Sequence, residues 1–257
     1  EVTLAGARAL THHRTNDFAP VYTECVTLLK KFFGTTQKLY LTTSSGTGAM
    51  ETAIANLFNE GETVLTVQTG VFGVRFTRIC EAFRLKTVVL ACEDGKRVTV
   101  EQIAAALEKN PEISGVTVTF NETSTGIRND IEAIGKFLKD KGKIFITDGV
   151  SGIGALPFKM DEWHVDVAVS ASQKGFLAPP GVGMVALSEK AWAKVEQVKC
   201  HGYYFDLKIY KKDQKGAIPA YPWTPAINVM FSLLEALRKI DRIGIENCFK
   251  HYEKLAG

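Results

Sequence analysis

Short runs of β-branched and other apolar residues alternate along this sequence with longer segments of helical apolar spacing. This alternation is typical of strands joined by helical crossovers into a mostly parallel sheet. Helices are predicted at 20–33, 49–58, 73–83, 100–109, 131–139 and 224–240, and strands at 38–43, 63–67, 87–90, 115–120, 143–147, 165–170 and 183–187. The last two strands flank a Pro-Pro-Gly turn, which indicates a close antiparallel or edge pair. We therefore predict an α/β fold, a three-layer α/β/α sandwich around a mixed sheet.

The domain organisation follows from length and composition. The chain has 257 residues, of which 46% are hydrophobic, and this is enough for one large domain. We expect an amino-terminal segment at 1–20, a large domain at 21–240 and, at 241–257, the start of a helix leading out of that domain. A net charge of +3, with both signs mixed along the chain, predicts neither a nucleic acid nor a membrane partner.

The five cysteines lie far apart and show no metal-binding spacing. We therefore expect reduced thiols, no metal site and a cytoplasmic location. No apolar run approaches the roughly 20 residues of a membrane span.

In parallel sheets ligands bind beyond the carboxyl ends of the strands. One such end carries the loop at 44–48, Ser-Ser-Gly-Thr-Gly, directly before a predicted helix. The free N–H groups and positive dipole at a helix amino terminus bind phosphate, and glycine permits close approach. A loop of this composition is also common as a simple turn, so by itself it leaves both interpretations open.

Two further residues with chemical potential follow apolar strands. Asp148 ends the strand at 143–147, where a carboxylate can cap a helix, form a structural hydrogen bond or keep a pyridinium nitrogen protonated. Lys174 follows the strand at 165–170, where it is either a solvated surface residue or, if partly desolvated, an amine of lowered pKa that forms a Schiff base.

Together these features resemble the fold-type I pyridoxal phosphate (PLP) enzymes, specifically the class V aminotransferases that include alanine–glyoxylate and serine–pyruvate transaminases. The resemblance runs over nearly the whole chain. It is carried by Ser45-Gly46-Thr47-Gly48, Glu122-Thr123-Ser124-Thr125-Gly126, Asp148-Gly149-Val150-Ser151, Ser170-Ala171-Ser172-Gln173-Lys174 and Ala178-Pro179-Pro180-Gly181.

The resemblance implies a role for each matching residue. Lys174 would form the aldimine with PLP and move the proton between the substrate α-carbon and C4′ of the cofactor. Asp148 would pair with the pyridine nitrogen, Val150 would pack beneath the ring and Phe72 would cover its other face. Thr123 would hydrogen-bond near the phenolic oxygen. The phosphate would be held by Ser45, Gly46, Thr47 and Gln173.

The resemblance also implies partners. Tyr221 and Thr224 match a motif that reaches the cofactor of a neighbouring subunit, which predicts a homodimer with composite sites. The substrates would be a small amino acid, alanine or serine, and a 2-oxo acid, glyoxylate or pyruvate. The family's small carboxy-terminal domain, which supplies an arginine for the substrate carboxylate, is expected to be absent from this chain. Thr47 stands where some members carry histidine, so substrate choice does not transfer.

Two other functions stay open at this point. One is a PLP-dependent lyase or desulfurase of the same fold, and the other is a PLP-binding protein with little catalysis. Several further polar residues are expected to lie outside the site: a solvated His12-His13-Arg14 run, outward-facing Arg75 and Arg78 on a helix, and Arg128, which could meet a carboxylate near the 123 loop.

Overall fold

The computed structural model describes residues 1–93, 95–213 and 221–256 of the chain. In these residues the strands are β1 (Lys38–Thr43), β2 (Thr63–Gln68), β3 (Lys86–Ala91), β4 (Ile113–Thr119), β5 (Asn121–Glu122), β6 (Ile127–Arg128), β7 (Ile144–Asp148), β8 (Val167–Ala171) and β9 (Val182–Leu187). The helices are α1 (Val2–Ala5), α2 (Ala19–Phe33), α3 (Gly46–Leu57), α4 (Val71–Ala82), α5 (Val100–Lys109), α6 (Ile131–Leu138), α7 (Glu189–Gln197), α8 (Leu207–Asp213), α9 (Ile227–Ile243) and α10 (Ile245–Ala256).

Seven strands form one sheet in the order β1-β9-β8-β7-β4-β2-β3. Strands β2, β3, β4, β7 and β8 pair in parallel, whereas β9 runs antiparallel to both of its neighbours, β8 and β1. Strand β1 is therefore parallel to the rest, and β9 is the one reversed strand of this sheet in the described residues. The predicted mixed, mostly parallel sheet is confirmed.

Helices cover both faces of this sheet. Every residue of β7, β8 and β9 is buried, and strands buried on both faces require a helical layer on each side. Helices α3 and α4 contact each other and the central strands, while α2 packs on β1 and on α9. Helices α1 and α10 also lie against α9. The three-layer sandwich predicted from the sequence is thus the observed architecture.

Several predicted boundaries differ from the structure. Helix α3 begins at Gly46 rather than at residue 49, and α4 begins at Val71 rather than at residue 73. The antiparallel pairing of β8 with β9 is confirmed, but the pair does not lie at the edge, because β1 covers β9. The proline-rich stretch at 218–225 also predicts an ordered loop before α9, and its first residues lie outside the described part of the chain. None of the described helices combines the length and apolar character needed to span a bilayer.

Close packing of α6 on the loop before β8 gives a first test of this fold. A methyl group added at Gly135 would lie 1.8 Å from the carbonyl oxygen of Trp163, whereas one added at Gly202 would meet nothing within 4 Å. We expect Gly135→Ala to lower the free energy of unfolding by about 3 kcal/mol or more, because the helix must move away from the loop. Gly202→Ala, the control, should change it by less than about 0.5 kcal/mol in urea unfolding. Equal stabilities of the two variants would contradict this packing.

Candidate active site

The loops that carry the predicted site residues meet at one edge of the sheet. Because β1, β2, β4, β7 and β8 are parallel, their carboxyl ends lie along the same edge. In parallel α/β sheets this edge is where ligands bind. The loops that leave it are 44–48, 69–73, 121–126, 148–151 and 172–181.

The amino terminus of α3 is open toward this edge. Ser45 precedes the helix in an extended conformation, and its side chain makes no capping hydrogen bond. A Cβ at Gly46 would lie 2.7 Å from Cγ2 of Val150, so glycine lets the helix begin against the loop that follows β7. Helix N–H groups without a capping side chain are suited to bind an anion. The site therefore has a place for a phosphate group beside Val150.

The approach of Gly46 to Val150 leads to a second prediction. Gly46→Ala should push the first turn of α3 and the Val150 side chain apart, because the added methyl group would lie 2.7 and 3.1 Å from the two Val150 methyl carbons. We expect the dissociation constant for PLP to rise roughly tenfold, the effect of about 1–2 kcal/mol of overpacking. Fluorescence titration of parent and variant measures this change. An unchanged affinity would mean that α3 does not hold the phosphate.

Asp148 is buried at the carboxyl end of β7, with 3% of its surface exposed. Its Oδ1 atom accepts a hydrogen bond of 2.9 Å from the Val150 N–H, and no described residue donates to Oδ2. Burial raises the pKa of Asp148 to about 6; the Val150 hydrogen bond opposes this shift, nearby Glu122 adds to it and nearby Arg75 opposes it. Asp148 therefore forms a structural hydrogen bond through one oxygen and keeps the other oxygen available as an acceptor.

A second buried carboxylate, Glu122, fixes the start of α4. Its Oε2 atom accepts hydrogen bonds from the N–H groups of Phe72 (3.0 Å) and Gly73 (3.2 Å). Its Oε1 atom accepts bonds from the Ser124 N–H and hydroxyl. Carboxylates stabilise helix amino termini in this way, which explains why α4 begins two residues earlier than predicted. Glu122 therefore sets the position of Phe72, a role that the sequence pattern did not indicate.

Arg75 does not point outward as predicted. It is half-buried, its Nη1 donates to the Thr47 hydroxyl at 2.9 Å, and its guanidinium lies 4.6 Å from the centre of the Phe72 ring. The prediction was wrong because helical spacing does not reveal that the amino terminus of α3 lies beside this face of α4. Arg78, one turn along, is exposed as expected.

Lys174 lies three residues after β8 with an exposed side chain. Its amino group has no hydrogen-bond or ion-pair partner among the described residues, so in the single chain the side chain is solvated, the first of the two alternatives that the sequence leaves open. The loop itself is held firmly: the Ser172 hydroxyl donates to the Pro179 carbonyl at 2.7 Å, and the Leu177 N–H donates to the Lys174 carbonyl. The Oε1 atom of Gln173 is buried without a hydrogen-bond partner in the described chain. A ligand with hydrogen-bond donors would satisfy it.

The remaining predicted site residues divide into two groups. Thr123 is exposed, and its hydroxyl lies 2.6 Å from that of Ser151, so this pair joins the loops after β4 and β7. Tyr221 is instead packed within its own chain: it is 4% exposed, its ring contacts that of Tyr22, and its hydroxyl donates to the Met230 sulfur. Thr224 is exposed. Contact of either residue with a second subunit stays a prediction.

Two other expectations concern residues outside the site. His12 and Arg14 are exposed as predicted, but His13 is only 4% exposed and stacks on the His12 ring. Its burial depends on how the amino-terminal segment packs, which a local run of polar residues does not show. The guanidinium of Arg128 is exposed and lies 5.4 Å from the centre of the Phe120 ring.

Comparison with known proteins gives the family. The model of the class V aminotransferases matches residues 4–257, and the chain therefore belongs to this family. An uncharacterized aminotransferase of Methanocaldococcus jannaschii is 39% identical over all of the chain and 66% of its own length. The serine–glyoxylate aminotransferase of Methylorubrum extorquens is 35% identical over 95% of the chain and 62% of its own length. The chain thus spans less than two thirds of these relatives.

A solved structure agrees with this assignment. The alanine–glyoxylate aminotransferase of a Nostoc species superposes with a TM-score of 0.92 at 29% identity, over 97% of this chain and 66% of that one. The family and this structural neighbour imply PLP as the cofactor. The residues present fit it, since an uncapped helix terminus, a buried carboxylate with a free oxygen and an unpaired lysine lie along one sheet edge.

Proposed function

We propose that this chain forms the PLP-binding part of an aminotransferase that moves the amino group of alanine or serine to glyoxylate or pyruvate. The observation that carries the proposal is the juxtaposition of β7 and β8, which pair in parallel and place Asp148 and the loop of Lys174 at one edge. The choice of substrates is supported by the activities after which the Methylorubrum and Nostoc relatives are named.

The chain's own residues divide the work between binding and proton transfer. The amino terminus of α3, with Ser45, Gly46 and Thr47, holds the phosphate, and Asp148 holds the pyridine nitrogen in its protonated form. PLP supplies an electron sink for the pair released at the substrate α-carbon. The amino group of Lys174 takes the proton from that carbon and delivers it to C4′ of the cofactor. Phe72 and Val150 enclose the ring and exclude water from it.

The desulfurase alternative requires a nucleophilic thiolate, and the thiols of this chain disfavour it. Burial raises the pKa of every cysteine thiol, that of Cys80 to about 12, and reactive cysteines have lowered values instead. None of the five lies in loops 44–48, 69–73, 121–126, 148–151 or 172–181, and Cys92, which follows β3 at the same edge, has a raised thiol pKa. A lyase that needs no cysteine, such as a serine dehydratase, stays as the second candidate.

The test begins with covalent attachment of PLP. The purified protein is incubated with PLP, reduced with borohydride and digested, and the modified lysines are identified by mass spectrometry. We expect modification at Lys174 to be nearly complete at a PLP concentration that leaves exposed lysines such as Lys199 almost unmodified. Modification spread evenly over surface lysines would contradict the proposal.

The second stage separates the functions. Single amino acids are added to the PLP-loaded protein, and both cofactor and product are analysed. Alanine or serine should convert the cofactor to its amine form and release the 2-oxo acid, and glyoxylate should then reverse the conversion. Pyruvate and ammonia released from serine without that conversion would instead support the lyase. A PLP-loaded protein whose cofactor is converted by none of the amino acids would support a PLP-binding protein with little catalysis.

We further propose that the protein is a homodimer with Thr224 reaching the site of the second subunit. The support is the family motif and the exposure of Thr224 in the single chain. Light scattering gives the oligomeric state, and a monomer that binds PLP with full affinity would contradict a composite site.

A further inference from the structure

Arg75 connects two parts of the site that come from different elements. Its Nη1 atom donates to Thr47 in the first turn of α3, at 2.9 Å, and its guanidinium lies over the Phe72 ring in the first turn of α4, at 4.6 Å. The planar guanidinium suits both contacts, because it donates in its plane and stacks with its face. One side chain therefore sets the distance between the phosphate end of the site and the residue predicted to cover the cofactor ring.

The charge of Arg75 acts on the buried Asp148 carboxyl group, which a second buried carboxylate, Glu122, also affects. Glu122 and Asp148 are 0% and 3% exposed, and neither forms an ion pair within the described part of the chain. Glu122, on β5, raises the pKa of Asp148, and Arg75, on α4, lowers it. These are the two charged side chains that act on the Asp148 carboxyl group, beside the Val150 N–H. Of the charged side chains that act on Asp148, Arg75 is therefore the one that favours its ionised form.

We propose that Arg75 is a positioning residue of the cofactor site, which braces Thr47 and Phe72 against each other. The inference rests on the proposed function, because it concerns the binding of PLP. In this role Arg75 affects the binding of the cofactor ring as well as the binding of the phosphate. A residue that contacted only the phosphate would affect the binding of the phosphate alone.

Two ligands distinguish these roles: PLP and pyridoxal, which has the same ring without the phosphate. The variants are Arg75→Gln and Arg75→Lys, and the matched control is Arg78→Gln, which changes an exposed arginine on the same helix. We expect Arg75→Gln to weaken the binding of both ligands by about tenfold or more, because the contact with the Phe72 ring is lost together with the hydrogen bond to Thr47. Arg78→Gln should change either affinity by less than about twofold. Thermal unfolding of each variant checks that it is folded.

The pH profile of PLP binding gives a second measurement, which a purely structural role would not change. Affinity should fall as the pH drops through the pKa of Asp148, about 6, because the neutral carboxyl group no longer holds a protonated pyridine. In Arg75→Gln this midpoint should move to higher pH, since the opposing positive charge is gone. Arg75→Lys should restore the midpoint but only part of the affinity, because an ammonium group does not stack as a guanidinium does.

The outcomes are separable. Weaker binding of PLP with unchanged binding of pyridoxal would overturn the brace in favour of direct phosphate contact. Unchanged affinity for both ligands, or a midpoint that stays fixed in Arg75→Gln, would also overturn the proposal. A parent protein that binds neither ligand would refute the proposed function itself, and the inference would fall with it.

Discussion

A Lys174→Ala variant is expected to bind PLP reversibly but to lose covalent attachment and nearly all transamination. The loss follows because Lys174 carries an unpaired amino group in the loop after β8, the strand that pairs with the Asp148 strand β7 at the ligand edge. Moving a proton by a positioned side chain contributes about 10²–10⁴-fold to a rate, so turnover should fall by at least that factor. Steady-state assays with alanine or serine as donor and glyoxylate as acceptor measure it.

The matched control is Lys199→Ala, which removes an exposed lysine from the segment between α7 and α8. It should keep parent activity. Both variants should unfold within about 0.5 kcal/mol of the parent, because the Lys174 side chain makes no hydrogen bond or ion pair in the described chain. A Lys174→Ala protein that turns over at the parent rate would mean that another amine does the chemistry.

The second large effect is expected from Asp148→Asn, which should make the cofactor-free protein more stable and the cofactor-bound state weaker. The folded-state pKa of Asp148, about 6, lies above its ordinary value of 3.8. The folded protein therefore binds this proton more tightly than the unfolded chain does. The resulting stability is complete below pH 3.8 and is lost as the pH rises through 6.

Asparagine removes this dependence because it is neutral at every pH and still offers an oxygen to the Val150 N–H. At pH 8 we expect Asp148→Asn to exceed the parent by up to about 3 kcal/mol in the free energy of unfolding, and the gap should narrow by pH 5. Urea unfolding of the cofactor-free proteins at the two pH values measures this. A variant less stable than the parent at pH 8 would mean that the charge supports the fold.

Binding should change in the opposite direction. An uncharged residue 148 leaves the protonated pyridine nitrogen without its partner, and breaking a buried charge pair costs about 3 kcal/mol or more. The affinity for PLP should therefore fall roughly 100-fold at pH 8. Equal affinities of parent and variant would show that Asp148 does not face the pyridine nitrogen. If the affinity falls as expected, Asp148 is a residue that lowers the stability of the cofactor-free protein and strengthens the binding of the ligand.

Sequence patterns predicted the elements better than their ends. The strand at 38–43 and the helix at 100–109 agree with the structure to the residue, because each is bounded by a strong local signal. Thr99, for example, begins α5 with a capping box that includes Gln102. The starts of α3 and α4 were placed too late, because they depend on Val150 and Glu122, which are distant in sequence.

The site was predictable where it follows from strand ends, and it was missed where it depends on contacts between elements. Asp148 and Lys174 each follow an apolar strand, so a parallel sheet places them at one edge. Arg75 appears in sequence as one charged residue on an amphipathic helix, and its partner Thr47 lies 28 residues earlier. Glu122 was visible as part of a family motif, but its bonds to the start of α4 follow from three-dimensional packing alone. Long-range polar contacts of this kind have no periodic signal.

The reversed strand β9 also has a consequence for how the protein is made. Strand β1 lies at the sheet edge and, of the strands in the described residues, pairs only with β9, through residues such as Lys38 and Leu187 that are far apart in the chain. During synthesis β1 and the loop after it therefore have no strand to pair with until β9 has left the ribosome. Chains arrested earlier should expose that loop to proteases, and chains arrested later should protect it. Since β9 follows Lys174 in the chain, the start of α3, which we propose holds the phosphate, reaches its final position only after Lys174 has been synthesised.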